Sequence, residues 1–459
     1  MWEWALVTAA LTLAACRQER AARVEPIPAT VLDAGVRRGA ATPPAIGKGV
    51  WIYVELAVYH STPGAVEKAK ALLASEHSVL RFAEKPSRDS PTPAVFIREP
   101  VLETYRPPDQ SQLKLFGRGF GPDDANRIGT SKHVTVVGVT AHRGDEGNAA
   151  LRAAHVLALD LARAVSGYIW DEGTREAFTP EAFEKRRLAV WSGGLPRAAS
   201  QYVIHAYRER ELLRLITLGM DKLGLPDLVV EDAADGLSSR LGKVITLVAQ
   251  TLAEGGTADA SGYLSLDIEG VRDADERASL LREVVANGKK RAQVRLVEGH
   301  HEKGDSDNEL RELDFGEGPE RQVRQAALIA ALFGIEDKIS RVQGGDVEIA
   351  AARARAKKRL LAEVKPLFLK GLPFDEHLSV KAPFVEGEQT EWMWLQVVRW
   401  EGHQIRGILN NQPYYLHSVR QGAQVSVDEA SVFDYELHLP DGGTEGNETQ
   451  ALIEAAAVK

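Results

Sequence analysis

The chain has one cysteine, Cys16, and only three methionines among 459 residues. A lone thiol cannot close an intramolecular disulfide, so neither a disulfide framework nor a cysteine-rich zinc module is available. A surplus of positive charge is missing too. With 65 acidic against 56 basic residues the formal charge is -9, which supplies no global attraction for nucleic acid or anionic lipid. The chain contains no Walker loop, no G-x-S-x-G elbow and no H-E-x-x-H helix, so the usual signatures of nucleotide-binding, serine-nucleophile and zinc-protease sites are absent. Gly117-Arg118-Gly119-Phe120-Gly121 is glycine-rich, but its flanks do not read as the strand and helix that a phosphate loop needs.

What is there suffices for packed cores: 44% of residues are hydrophobic, over a length that favours several domains. Residues 5–15, ALVTAALTLAA, form an apolar run too short to cross a bilayer as a helix. The piece Leu13-Ala14-Ala15-Cys16 resembles a bacterial lipobox, although Met1-Trp2-Glu3-Trp4 lacks the basic residue of an ordinary signal peptide. That resemblance implies a signal peptide over 1–16, lipidation of Cys16, and contact with the membrane through the lipid anchor. Arg17 stands where lipoproteins retained at the inner membrane carry Asp, which implies the outer membrane, facing the periplasm.

Periodicity and turn signals divide the rest. Residues 17–48, with Pro26, Pro28, Pro43 and Pro44, read as a flexible tether. An α+β module follows over 49–190, with strands at Val50–Val58, Pro93–Arg98 and His133–Thr140 and helices at Pro63–Ser75 and Asn148–Val165. A second α+β module spans 200–335. Its expected strands are Tyr202–Tyr207, Leu212–Thr217, Ala292–Glu298 and Leu310–Phe315, with helices at Ser238–Ala253 and Glu320–Phe333. A helix from Val347 to Leu369, whose basic run Ala352–Arg359 reads as a solvated face, opens a third module over 346–440. That module is mainly an antiparallel sheet, and 441–459 is a turn-like tail. The fold class is therefore α+β, built from several small sandwich modules.

Candidate sites are few. The loop His300-His301-Glu302-Lys303-Gly304-Asp305-Ser306-Asp307-Asn308 holds the best metal-type residues, His300, His301, Asp305 and Asp307. Their spacing fits neither a zinc site nor a helix-loop-helix calcium site, and the loop reads as a solvated hairpin tip, so no metal is expected. His205 and Tyr207 share a strand face, followed by Arg214 and Thr217, which suits packing between domains. The acids within Trp170–Glu176 read as a turn that stops one helix before another begins at Thr179-Pro180. No catalytic residue and no cofactor are expected.

The densest signal is the C-terminal run with Trp392, Met393, Trp394 and Trp400. Alternation puts Trp392 and Trp394 on one strand face and Met393 on the other, and the indoles read as core rather than as a ligand platform. Lys381-Ala382-Pro383-Phe384, Glu391-Trp392-Met393-Trp394, Gly407-Ile408-Leu409-Asn410-Asn411-Gln412-Pro413, Gln421-Gly422 before Val425, and Phe433-Asp434-Tyr435 follow in order. Together they resemble the bacterial domain of unknown function 2314, the YegJ-like family. The resemblance brings no catalytic residue. It leaves Trp392, Trp394, Asn410 and Asn411 as the possible binding surface, with an unknown protein or peptide as partner and no nucleic acid. The functional expectation is a non-enzymatic, protein-binding lipoprotein of the bacterial cell envelope. The alternatives are an immunity-type protein that neutralises a toxin and a hydrolase using acids and histidines of the middle module.

Overall fold

The structure, a computed structural model, describes residues 51–76, 79–84, 92–192, 194–209, 211–285, 287–334, 347–373, 376–387, 389–439, 443–450 and 452. The signal-peptide, lipidation and tether assignments at 1–48 lie outside the described residues. Three sheets hold all the described strands but those of one two-stranded hairpin, and the fold is α+β.

The first module contains β1 (Trp51–His60), α1 (Ala65–Glu76), β2 (Arg81–Phe82), β3 (Ala94–Arg98), α2 (Gln110–Phe116), β4 (Gly117–Arg118) and α3 (Pro122–Gly129). It continues with β5 (His133–His142), α4 (Asp145–Val165), β6 (Tyr168–Asp171), β7 (Glu176–Phe178), α5 (Pro180–Phe183), and a small hairpin of β8 (Trp191–Ser192) and β9 (Leu195–Pro196). Its sheet runs β2-β3-β5-β1-β6-β7-β4. The β-branched and aromatic run of β1 makes it a central strand with both faces covered, pairing antiparallel with β5 and β6. Ile52, Val54, Leu56 and Val58 face the Ala/Leu stripe of α4, while Ala57 and Tyr59 face Leu113 of α2 and Ile128 of α3.

The second module contains β10 (Val203–Glu209), β11 (Leu212–Leu218), β12 (Asp227–Ala233), α6 (Asp235–Ala253), β13 (Tyr263–Asp267), α7 (Ala274–Arg282), β14 (Arg291–Glu298), β15 (Leu310–Asp314) and α8 (Arg321–Phe333). Strand order is β10-β11-β12-β15-β14-β13, with β12 and β15 parallel and the other pairs antiparallel. As the sequence indicated, β14 and β15 pair across the polar 299–308 loop. Apolar residues of α6 and α8 cover one sheet face. One hydrophobic cluster runs through both modules, from Leu56 and Leu157 through Met220 and Leu223 to Leu247 and Phe333, so they share a core.

The third module contains α9 (Val347–Arg359), α10 (Lys365–Lys370), β16 (His377–Glu386), β17 (Gln389–Glu401), β18 (Gln404–Leu409), β19 (Gln424–Asp428), β20 (Asp434–His438) and β21 (Thr444–Gly446). The antiparallel sheet β19-β18-β17-β16-β20-β21 has its own core, formed by Val380, Phe384, Met393, Leu395 and Tyr435 against Ala356, Leu360 and Val364. Residues 444–446, expected to be tail, add a strand, and Asp434 holds Thr449 through its backbone N–H (2.9 Å) and hydroxyl (2.6 Å). Gly407 is required for close approach: a Cβ there would lie 2.3 Å from the Gln396 carbonyl oxygen.

Candidate functional site

The strongest concentration of charge is buried where the first two modules meet. The short segment Tyr168–Asp171, directly after the helix-ending left-handed Ser166, forms β6, and Asp171 opens a tight hairpin into β7. The acids at 170–176 therefore lie in a strand hairpin and not between two helices, although α5 does start at Pro180, capped by Thr179. Asp171 and Glu176 are fully buried and face the equally buried Arg187. Arg187 Nη2 donates to Asp171 Oδ2 (2.9 Å), Glu176 Oε2 (2.8 Å) and Thr174 Oγ1 (3.0 Å). From the second module, Lys222 Nζ donates to the same Asp171 oxygen at 2.5 Å.

Burial opposes the charge on Asp171, but Lys222 and Arg187 outweigh it and hold the carboxyl below its usual range. Nearby, burial and then the charge of Asp227 push the Asp221 carboxyl up to about 7, against the pull of Lys222. His155 lies edge-on to Phe183 with both ring nitrogens unpartnered; burial, then Lys222 and Arg187, hold it neutral. Asp171, Glu176, Arg187, Lys222 and His155 are buried and Asp221 is only partly so, and the arrangement joins the two modules.

The 299–308 loop is likewise consumed by the fold. Asp305 accepts from the fully buried Arg214 Nη1 (2.8 Å) and from Glu302 N (2.8 Å), while Arg214 Nε donates to Glu231 (2.9 Å) and Nη2 to the His300 carbonyl (2.8 Å). Asp305 is thus committed to a guanidinium, His300 Nε2 lies 3.1 Å from Glu302, and His301 and Asp307 point to solvent. Among the described residues no three potential ligands converge to hold a metal ion. His205 stacks on Phe116 of the first module (5.5 Å), a contact between modules as its strand position suggested. Tyr207 stands opposite Arg214, but Thr217 turns to the other face and donates to Asp227 Oδ1 (2.9 Å), because it pairs with Ile204 rather than with His205.

The glycine-rich 117–121 segment does connect a short strand, β4, to a helix, α3, contrary to expectation. It is still no phosphate loop. Asp124, inside the first turn, already accepts the Gly121 N–H (2.9 Å) and Tyr168 OH (2.8 Å), and Gly119 is small because Thr179 and Ala182 press against it. An open cleft of about 600 Å³ beside it is lined by Tyr168, Arg127, Arg163 and Lys185.

The C-terminal motif residues form a surface. Alternation along β17 is as expected, but the faces are reversed: Met393 is core, whereas Trp392 is 38% exposed and Trp394 half-buried. The sheet's inner face is already filled by α9 and the turn after it, which leaves no room for two indoles. Trp392 lies 4.7 Å from Phe433, with the Arg353 guanidinium over both rings (5.7 and 5.3 Å). The basic run of α9 is therefore not simply solvated; Arg355 and Arg359 also pair with Glu448 and Glu445. Asn411 is a scaffold residue whose Oδ1 accepts the Trp394 N–H (2.6 Å), and Asn410 approaches Gly236 of the second module.

Two carboxylates organise the loop after Pro413. Glu391 accepts the backbone N–H groups of Tyr414 (3.0 Å), Tyr415 and Leu416 (3.1 Å), and Glu386 accepts those of His417 (2.8 Å) and Ser418 (2.9 Å). The loop so held displays Tyr414 at 60% and Tyr415 at 38% exposure. Sequence reading passed over these tyrosines; the available signal was an unpatterned Tyr-Tyr pair directly after the Asn-Gln-Pro turn.

With this geometry in place, residues 346–455 match the model of a family described as an uncharacterized protein conserved in bacteria (DUF2314). The match covers the third module, including its last strand. No curated protein and no solved structure matches the chain.

Replacing Asp171 by Ala leaves Arg187 and Lys222 buried without their shared carboxylate, and should cost about 3–5 kcal/mol in denaturant unfolding. A loss under ~1 kcal/mol would show that the junction does not depend on it. A second prediction concerns the seat of the third module on the second. There His377 stacks on His438 (4.0 Å) near Asp235 and Arg208, and Gln396 donates to Asp235 (2.5 Å). Burial, then His438 and Arg208, lower His377 to about 4, with Asp235 opposing. A histidine depressed in the folded state takes up its proton first in the unfolded chain. Stability is then fully present above the unfolded value of ~6.5 and lost as pH falls from there to about 4. Partial exposure limits this loss to roughly 1–2 kcal/mol. His377→Gln should flatten the stability profile across that window, measured by urea titration at a series of pH values.

Proposed function

We propose that this chain is a non-enzymatic binding protein of the bacterial cell envelope, lipid-anchored through Cys16, whose C-terminal module makes the contact with a protein or peptide partner. The observation that carries the reading is the Tyr414–Tyr415 loop. Large aromatic side chains held in water by a backbone that Glu391 and Glu386 have already ordered lose little conformational freedom on binding. Tyr and Trp are also the residues on which binding energy concentrates at protein interfaces. The lipobox-like Leu13-Ala14-Ala15-Cys16 supports the envelope location.

Affinity purification of the full chain from its host's envelope should recover a defined stoichiometric partner. Tyr414→Ala/Tyr415→Ala should reduce that recovery by about tenfold or more at unchanged melting temperature. His205→Ala, His300→Ala and His301→Ala should not. Loss of a measurable hydrolytic activity on those histidine replacements would overturn the binding reading. Cys16→Ala should release the protein from the membrane fraction, and unchanged fractionation would remove the lipid anchor.

A further inference from the structure

Most buried or half-buried cations here have carboxylate partners. Arg187 meets Asp171 and Glu176, Lys222 meets Asp171, Arg214 meets Glu231 and Asp305, and Lys365, on α10, meets Glu429 at 2.5 Å. Lys381 differs. It is half-buried in β16, directly opposite Trp394 on β17, and its ammonium lies over the Trp394 ring at 5.6 Å. Among the described residues it has no ion pair. The carboxylate beside it, Asp434, is occupied: its oxygens accept the Tyr435 N–H (2.8 Å) and the Thr449 N–H and hydroxyl. Two residue pairs along the ladder stands Trp392, on the same sheet face, with Phe433 and the Arg353 guanidinium against it. Two cations and three aromatic rings thus share one partly open face, on a chain whose overall charge is negative.

We infer that this face is an anion-binding site for a carboxylate of a partner polypeptide, with Lys381 supplying the charge, and Trp392, Trp394 and Phe433 the apolar walls. A carboxylate reaching Lys381 would meet a cation already stripped of part of its water. Such charge-assisted contacts are stronger than those of a fully solvated lysine. The aromatic walls favour a peptide over a free inorganic ion, since they bury stem and backbone as well as charge. The inference rests on the protein-binding reading and gives that partner a chemistry.

Calorimetric titration of the full-length chain tests it with four probes: a blocked tetraglutamate peptide, its tetraglutamine counterpart, and tetraalanine with a free or an amidated C-terminus. Binding by tetraglutamate and not by tetraglutamine assigns an acidic side chain. Binding by free but not amidated tetraalanine assigns a chain terminus, and either result supports the site. Lys381→Met should weaken the binding about tenfold and Lys381→Arg should restore most of it, with melting temperatures unchanged. Should Lys381→Met fail to fold, Lys381→Gln carries the same comparison. Equal binding of charged and uncharged peptides, no binding by any of them, or unchanged affinity in the variant overturns the site. If that happens while partner recovery still depends on Tyr414 and Tyr415, the carboxylate assignment falls and the protein-binding reading stands.

Discussion

The shared carboxylate of Asp171 is the interaction on which the larger part of the molecule depends. It sits at the end of β6, so it belongs to the sheet of the first module, yet one of its oxygens is held by Arg187 and by Lys222 of the second. Burying three charges together is favourable only if each desolvated group has a partner, and here Glu176, Thr174 and the Ser200 carbonyl complete the set around Arg187. The geometry must then be held tightly on both sides. That is why the turn before Lys222 uses a left-handed Gly219, where a side chain would strike Thr174 and the Gln201 carbonyl. The continuous hydrophobic cluster around this knot supplies the bulk of the stabilisation, while the ionic set defines how the two modules face each other.

The third module is attached differently. Its core is separate, and its seat on the second module is largely polar: Gln396 bonds both Asp235 and the Gly236 N–H, with Ile408 reaching into the neighbouring core. A polar seat of this kind costs less to open than a shared core. The module that matches a bacterial family is thus the one with the most independent packing, whereas the first two modules are fused into a single core.

How much of this could be read from the sequence depended on the range of the interactions. Long alternating or apolar runs such as β1, β5 and β16 to β18 carry their own period, and their positions were legible. The four-residue β6 was not, since Tyr-Ile-Trp-Asp after a long helix gives too few positions for a period. Nor was β12, whose parallel pairing with β15 joins residues about eighty apart. The bond between Asp171 and Lys222 spans 51 positions, and no local pattern signals it. For Trp392 and Trp394 alternation gave the correct relative faces, but which face was buried depended on a helix lying outside the strand.

The same distinction separates scaffold from surface in the C-terminal motifs. Gly407, Asn411, Glu391, Met393 and Asp434 are each consumed in close approach, backbone capping or core packing. A motif built of such residues describes how the module folds, and it directs attention away from the side chains exposed at the surface. Those are the ones the scaffold leaves in water at some cost: Tyr414 and Tyr415 on the ordered loop, and Trp392 beside a cation. Exposing large aromatic area is unfavourable unless something covers it in use, and ordering the backbone beneath it lowers the entropy that association must overcome. The motif and the binding surface are therefore complementary parts of one stretch of chain, the first rigid so that the second can be presented.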